Sequence, residues 1–436
     1  MKTLEPRADV SRNAALKRRP APKLREIMGP GLITGASDDD PSGIATYSQV
    51  GAQFGYGLGW TLLFTYPLMC AIQQISADIG RVTCCGIAGN IRRHYSAALL
   101  YGIVGVLLIA NVINIAADLG AIAAALGLLI GGPMLLYVVA FALAIVLLET
   151  FVSYKRYVSV LKWLTLSLFA YVATLFVVRI PWAHVAREVL LPHLSLSKGY
   201  LVAIVAVFGT TISPYLFFWQ SQEEVEDVLE RPGAEALTLA PDQAPPELER
   251  IRLDTYIGMA FSNVIALCIV ITAAATLNAH GRTDIATSSQ AAEALRPIAG
   301  QFAFAIFSLG IIGTGLLTIP VLAGSAAYAL GEASLWPVGL ARRPLRAKAF
   351  YAAIAVATGI GALLNFVHLD PIKALFWSAV VNGVAAAPIM LVIMLIGSRK
   401  DCMGEFVLSR PLLVLGWLAT AAMAAAAIGM FATMGS

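Results

Sequence analysis

Charge is scarce in this chain, and the motifs of common soluble enzymes are missing. Of 436 residues only 13% are Asp, Glu, Lys or Arg, whereas 58% are hydrophobic, and the mean hydropathy is +0.77. This composition excludes an ordinary soluble domain and indicates a protein that crosses a membrane many times. The five cysteines form no CxxC pair, and there is neither a P-loop nor a GxSxG elbow. The sequence therefore gives no support to a disulfide framework, a P-loop nucleotide site or a hydrolase.

Histidine is equally sparse, and none of the five falls in the middle of a predicted membrane helix. His184 and His193 lie in a predicted outer loop, His280 and His368 near outer helix ends, and His94 in a basic cytoplasmic stretch. A buried imidazole acting as a metal ligand or proton relay is therefore not expected. Without a nucleophile–base pair in the membrane, we also predict that the protein is not an enzyme and uses no cofactor.

What the chain does have is long apolar segments, which predict an all-α polytopic membrane protein of eleven helices. The segments lie near 28–54, 57–80, 98–130, 133–153, 157–178, 199–222, 256–278, 299–331, 347–366, 371–397 and 410–434. When they alternate across the bilayer, 24 of the 30 Lys and Arg residues share one side with the basic tail, 1–27. The positive-inside rule places this side in the cytoplasm, so the odd helix count puts the C-terminus outside. Because topology sorts the basic residues, they do not indicate a nucleic-acid partner.

Nine residues inside the first segment, Gly35–Gly43, are unusual for a membrane helix. They contain Asp38, Asp39 and Asp40 in a row, followed by Pro41. A carboxylate at bilayer depth costs several kcal/mol, and irregular backbone survives there only where protein buries it or where it lines a wet cavity. The stretch predicts a broken helix whose carbonyls and carboxylates form a cation site. The alternative is a solvent loop in which Asp38 or Asp39 only caps a helix.

The sixth segment carries a matching break at 207–215, where Gly209, Thr210, Ser213 and Pro214 cluster. Pro214 cannot donate a hydrogen bond, so carbonyls near Thr210 lose their helical partners. The first helix of each five-helix half is therefore predicted to be interrupted. Paired interruptions of this kind indicate a midplane site in an inverted-repeat transporter.

Further polar residues lie inside predicted helices. Asn111, Asn114 and Asp118 share one helical face by their spacing, and they line either a pathway or a packing seam. Asn382, in the tenth helix, supplies either a ligand oxygen or a packing contact. The one long polar insert, 223–254, is either an acidic inner vestibule or a solvated linker between the two halves.

With these residues in view, the sequence resembles the Nramp family of divalent metal transporters, whose fold is the LeuT type. The resemblance covers about 28–400. It is carried by Gly29-Pro30-Gly31, by Asp40-Pro41, by Gly209-Thr210-Thr211-Ile212-Ser213-Pro214 and by Asp118-Leu119. It implies two five-helix repeats, 28–178 and 199–397, joined by an outer loop, 179–198, and followed by the eleventh helix in 398–436.

The resemblance also implies a metal site formed by Asp40, Gly43, Thr210 and Ser213, and the departures from the family pattern alter its chemistry. Gly43 replaces the motif's asparagine, and Thr210 stands where the family has an alanine. Ser213 and Tyr215 replace its methionine and histidine, and Asn111 replaces an acidic residue. Asp38, Asp39, Asp118, Asn111, Tyr215 and Asn382 are then candidates for the pathway or for coupling.

A hydroxyl in place of a thioether makes the predicted site harder, and a glycine in place of asparagine makes it roomier. Both changes suit Mg²⁺, which keeps several of its waters. They are similar to the departures of the Nramp-related magnesium transporters, in which proton coupling is lost. We expect a secondary transporter that moves Mg²⁺, Mn²⁺ or both by alternating access without proton coupling. It should lie in a bacterial inner membrane, with the metal ion and the lipid bilayer as its partners. The alternatives are a proton-coupled Mn²⁺/Fe²⁺ importer and, more remotely, a membrane metal sensor that does not transport.

Overall fold

The computed structural model describes residues 35, 37–152, 164–192, 194–367 and 370–434, and within them every regular element is a helix. The predicted basic tail and the start of the first segment lie outside the described residues, as do His193, His368 and the start of the fifth segment. Seventeen α-helices run in chain order through this part of the chain. They are α1 Pro41–Phe54, α2 Gly59–Thr83, α3 Ile87–His94, α4 Ala97–Ile130, α5 Met134–Phe151, α6 Phe169–Val177, α7 Trp182–Leu190, α8 Lys198–Thr211, α9 Pro214–Glu230, α10 Ala244–Thr276, α11 Ser288–Ala292, α12 Arg296–Ala299, α13 Ala303–Ser334, α14 Lys348–Leu364, α15 Pro371–Gly397, α16 Lys400–Met403 and α17 Arg410–Met434.

Eight spans in the described residues are long and apolar enough to cross a bilayer, and a bent pair of helices near α6 and α7 would make a ninth. Large apolar side chains such as Ile109, Phe176 and Val414 are more than half exposed, as expected where a helix faces lipid. Helix α2 is long enough but is not among the eight. Its second half carries Gln73, Gln74 and Asp78, which are buried among other helices.

Both predicted helix breaks are present. Residues 35, 37 and 38 are helical, Asp40 is extended, and α1 begins at Pro41. In the sixth segment α8 ends at Thr211, and α9 begins at Pro214 after two non-helical residues. In each case proline occupies the first helical position, where its missing N–H costs no hydrogen bond.

The polar insert at 223–254 is mostly helical, contrary to the expectation of a long loop or linker. Helix α9 continues to Glu230 and α10 already begins at Ala244, so only 231–243 connects them. The predicted outer loop also contains a helix, α7. Polar residues can extend a membrane helix into the aqueous phase, and hydropathy alone does not reveal such extensions.

Small residues bring the helices around the breaks close together. A Cβ atom added at Gly209, on α8, would lie 2.0 Å from the carbonyl oxygen of Ala379 on α15. One added at Gly383, on α15, would lie 2.4 Å from the carbonyl oxygen of Val205 on α8. This reciprocal contact holds the second break against α15, as small residues do in membrane helix packing.

Candidate functional site

Asp40 occupies the start of α1, and its carboxylate organises that end of the helix. Its Oδ1 atom accepts a hydrogen bond from the backbone N–H of Gly43 at 2.5 Å. The Ser42 hydroxyl lies 2.7 Å from Oδ1 and 2.8 Å from Oδ2. Asp40 is only 1% exposed. A helix N-terminus favours a negative charge, so this position offsets part of the cost of burying the carboxylate.

The second break supplies neutral oxygens beside this carboxylate. The Ser213 hydroxyl lies within hydrogen-bond distance of the carbonyls of Gly209 (3.1 Å) and Thr210 (3.0 Å) and donates its one proton to either. Thr210 and Ser213 are both buried. The break is therefore held together by its own serine, whose oxygen keeps lone pairs for a further ligand.

Gly43 connects the two breaks. A Cβ atom added at Gly43 would lie 3.0 Å from Thr210 Oγ1 and 3.3 Å from Asp40 Oδ1. Asp40, Gly43, Thr210 and Ser213 thus form one continuous group of contacts across α1, α8 and α9, although they come from positions about 170 residues apart. No three His, Cys, Asp or Glu side chains of the described residues group together to hold a metal. A cation at this place would therefore depend on neutral oxygens as well as on Asp40.

Asp38 and Asp39 are buried, in contrast to the solvent-loop alternative considered from the sequence. They are 1% and 2% exposed. One hydroxyl on α10, that of Ser262, lies 2.7 Å from Asp38 Oδ2 and 3.1 Å from Asp39 Oδ1. Ser262 was missed in the sequence; its only signal was the polar pair Ser262-Asn263 inside an apolar helix.

Tyr215 ties the two interrupted helices together. Its hydroxyl donates to the carbonyl of Ser37 at 3.1 Å, and the Thr318 hydroxyl of α13 lies 3.3 Å from the same oxygen. Ser37 lies in the short helical piece before the first break. The tyrosine that replaces the family's histidine is therefore a structural donor to backbone, and Thr318 is a second contact that sequence reasoning did not identify.

The polar face of α4 divides into two kinds of residue. Asn111 donates to the Leu322 carbonyl (2.9 Å) and to Ser325 Oγ (2.8 Å), and Asn114 donates to Asn382 Oδ1 at 2.7 Å. These bonds favour the packing-seam alternative for the three asparagines. Asp118 differs, because it is fully buried, neither of its oxygens has a hydrogen-bond partner in the described part of the chain, and it interacts electrostatically with Asp40.

The acidic residues of the 223–254 region are engaged in ion pairs and hydrogen bonds. Glu224, which is fully buried, forms an ion pair with Arg250 of α10. Arg250 also lies 3.2 Å from Glu247, and Arg81 of α2 lies 3.5 Å from the same carboxylate. Glu226 accepts a hydrogen bond from the Leu340 backbone at 2.8 Å. This is an ordered network between α2, α9 and α10, which neither a vestibule nor a linker describes.

The adjacent thiols Cys84 and Cys85 lie in the turn between α2 and α3. Burial raises the pKa of the Cys85 thiol to about 12 and also raises the pKa of Cys84. A thiol must lose its proton to bind a metal, so this environment disfavours a thiolate site. Their small size at a tight turn, where Cys84 has a φ of 48°, is the better account.

Comparisons with known proteins agree with this fold. The family described as natural resistance-associated macrophage protein-like (Nramp) matches residues 31–433. A divalent metal cation transporter MntH of Klebsiella pneumoniae is 27% identical over 91% of this chain and 91% of its own length. A MntH of Yersinia pestis is 26% identical over 92% of this chain and 93% of its own length.

Solved structures share the architecture at lower sequence identity. A manganese transporter of Eremococcus coleocola superposes with a TM-score of 0.73 at 18% identity, over 95% of this chain and 89% of the other. Mhp1, a nucleobase-cation-symport-1 family transporter, gives a TM-score of 0.52 at 13% identity, over 93% and 92%. These likenesses establish the LeuT-type fold, with its two five-helix halves and interrupted first and sixth helices. The family match over nearly the whole chain shows that this protein belongs to the Nramp family.

Proposed function

We propose that this protein is a secondary transporter that moves a hydrated divalent cation, Mg²⁺ in preference to Mn²⁺, by alternating access around Asp40 and without proton coupling. The observation that carries the proposal is the contact of two interrupted helices at Asp40, Gly43, Thr210 and Ser213. Here one carboxylate meets hydroxyl and carbonyl oxygens in a buried place. A dication at bilayer depth requires such a negative charge to offset its lost hydration.

The donor chemistry supports a hard cation. All the atoms offered by these four residues are oxygens, and oxygen ligands favour Mg²⁺, Ca²⁺ and Mn²⁺, whereas thioethers favour softer metals. Because few protein ligands are present, the ion would keep part of its water shell, as Mg²⁺ does in most protein sites.

The neighbours of the site support uncoupled transport. A proton-coupled carrier needs a group that binds and releases a proton near neutral pH. Asn111 cannot ionise, and the Tyr215 hydroxyl is used in a bond to the Ser37 carbonyl. Among the candidates only the carboxylates Asp38, Asp39 and Asp118 remain as proton acceptors, and Asp118 lacks the acidic neighbour that the family has at position 111.

The names of the relatives favour a second candidate, a proton-coupled Mn²⁺/Fe²⁺ importer, since the curated ones are divalent metal cation transporters and a structural neighbour is a manganese transporter. For either candidate the bacterial relatives support a plasma-membrane location. The positive-inside count supports a cytoplasmic N-terminus and an outer C-terminus.

Reconstituted proteoliposomes separate these functions. Mg²⁺ and Mn²⁺ uptake is followed with a metal-sensitive dye, while a second dye inside reports luminal pH. We expect uptake of both ions and no acidification of the lumen. Mg²⁺ should also compete with Mn²⁺ uptake more strongly than it would at a site with a soft thioether ligand. Metal-dependent acidification that is lost in Asp118→Asn would establish the coupled importer instead, and a folded protein that binds metal without uptake would indicate a sensor.

A further inference from the structure

The buried acidic residues around the first break carry more negative charge than one transported ion can balance. Asp38, Asp39, Asp40 and Asp118 are all at most 2% exposed. Within the described residues none of them forms an ion pair, and the ion pairs found there involve other carboxylates. A single dication bound at Asp40 compensates two of the four charges. Burying the remaining two without a partner is costly, so protons or a second cation must balance them.

The contacts at Ser262 identify where the excess charge lies. A serine hydroxyl has one proton, yet its oxygen lies 2.7 Å from one oxygen of Asp38 and 3.1 Å from one of Asp39. It donates a good hydrogen bond to only one of them at a time. The other contact is then between two acceptors, which is unfavourable unless that carboxyl carries a proton or a cation lies nearby.

The remaining oxygens of the pair have no hydrogen-bond partner among the described residues. Asp38 Oδ1 and Asp39 Oδ2 are both buried and unpartnered in that part of the chain. Asp40, one residue further on, has both of its oxygens bonded, by Ser42 and by the Gly43 backbone. The difference is informative, because buried carboxylate oxygens in folded proteins are nearly always satisfied, and an exception calls for an explanation such as a proton, a water molecule or a bound ion.

We infer that Asp38, Asp39 and Ser262 form a second divalent-cation site, next to the transport site around Asp40 but on the side of α10. Two carboxylates neutralise one dication, whereas a monovalent cation would leave one buried charge uncompensated. Two carboxylates and a hydroxyl also form the hard oxygen set that Mg²⁺, Mn²⁺ and Ca²⁺ prefer. The inference rests on the proposed function in one respect, namely that divalent cations reach this depth of the protein.

The site has two built-in reporters. The Cys70 thiol of α2 interacts electrostatically with Asp38, and the Cys268 thiol of α10 interacts with Asp39. Both thiols are buried, at 2% and 8% exposure. An ion bound by the carboxylate pair should change the rate at which these cysteines react with a small thiol reagent.

The test is a Mn²⁺ titration of the purified full chain, followed by the electron paramagnetic resonance signal of free Mn²⁺. The result that matters is the difference in bound Mn²⁺ per chain between variants, since weak surface binding is common to all of them. We expect Asp38→Asn with Asp39→Asn to lose one ion relative to wild type, and Asp40→Asn to lose a different one. Ser262→Ala should lower the binding affinity for one of the two ions by ~10-fold or more. Ser262→Thr, which keeps the hydroxyl, should not lower it.

The outcomes distinguish this site from the transport site. If Asp40→Asn loses an ion and Asp38→Asn with Asp39→Asn does not, protons balance the pair and the second site is rejected, while the proposed function stands. If only the Asp38 and Asp39 variant loses an ion, the second site stands and the assignment of Asp40 fails. If no variant changes the bound number, both fail. Should the double variant not fold, Ser262→Ala and the labelling rates of Cys70 and Cys268 with and without Mn²⁺ give the same decision.

Discussion

Gly43 and Thr210 share one small space between the two interrupted helices, and this contact makes a sharp prediction about the family pattern. The family has asparagine at the first position and alanine at the second, so this chain has exchanged a large and a small residue between them. We therefore consider three variants: Gly43→Ala, Gly43→Asn, and Gly43→Asn combined with Thr210→Ala.

The magnitude follows from the distances. A Cβ atom at position 43 would lie 3.0 Å from Thr210 Oγ1, 3.3 Å from Asp40 Oδ1 and 3.3 Å from Tyr47 Cε2, so its neighbours would have to move by a few tenths of an ångström. Overpacking costs about 1–3 kcal/mol, and replacing a helical glycine by alanine gains about 0.5–1 kcal/mol. For Gly43→Ala the two effects nearly cancel. For Gly43→Asn the extra atoms put the net loss toward the upper part of the overpacking range, because asparagine gains little in a helix.

Removing Thr210 Oγ1 takes away the nearest obstructing atom. Thr210→Ala should therefore recover at least half of the loss caused by Gly43→Asn, and residues in direct contact typically couple by about 0.5–3 kcal/mol. Both asparagine variants also place an amide at the site, so their metal preference is measured alongside their stability.

The assay is apparent thermal unfolding of the purified protein in detergent, read from the remaining monodisperse fraction after heating. We expect wild type and Gly43→Ala to be similar, Gly43→Asn to unfold at a clearly lower temperature, and the double variant to recover. The reasoning is refuted if Gly43→Asn is as stable as wild type, or if adding Thr210→Ala lowers its stability further. Thr210→Ala alone is the matched control.

Three further predictions concern the site and its support. Asp40→Asn and Asp40→Ala should both reduce divalent uptake at least ~30-fold, which corresponds to a loss of about 2 kcal/mol of binding free energy. Only the alanine variant should also lose the helix cap, which contributes about 1 kcal/mol to stability. Wild-type uptake by folded Asp40→Asn would contradict the assignment. Ser213→Met should shift the preference in the uptake assay from Mg²⁺ toward Mn²⁺ and Cd²⁺, because it adds a soft thioether. An unchanged preference would show that this side chain does not face the ion. Arg250→Met should destabilise the protein by about 3–5 kcal/mol, because it leaves Glu224 buried without its partner. Adding Glu224→Gln should restore much of that stability in the same thermal assay. Equal stability of the single and double variants would argue against the ion pair.

Several features of this protein were determined locally and could be predicted from the sequence. The apolar segments specify helices in a bilayer because the backbone there must satisfy its own hydrogen bonds. The two breaks follow from proline and from polar clusters within a few residues of Pro41 and Pro214. The family pattern then indicated Asp40, Gly43, Thr210 and Ser213, and the structure brings these four into contact.

Other features depend on partners that are distant in the chain, and only the tertiary structure decided them. From the sequence, Asp38 and Asp39 could belong to a cation site or to a solvent loop, but Ser262, more than 220 positions away, lies within hydrogen-bond distance of both in a buried place. Asn114 became part of a packing seam because Asn382, 268 residues later, accepts its hydrogen bond. The sequence does not distinguish a polar side chain that contacts water from one that contacts a ligand or another side chain. Which of these it meets is set by the helix that packs against it, and that packing is a property of the whole fold.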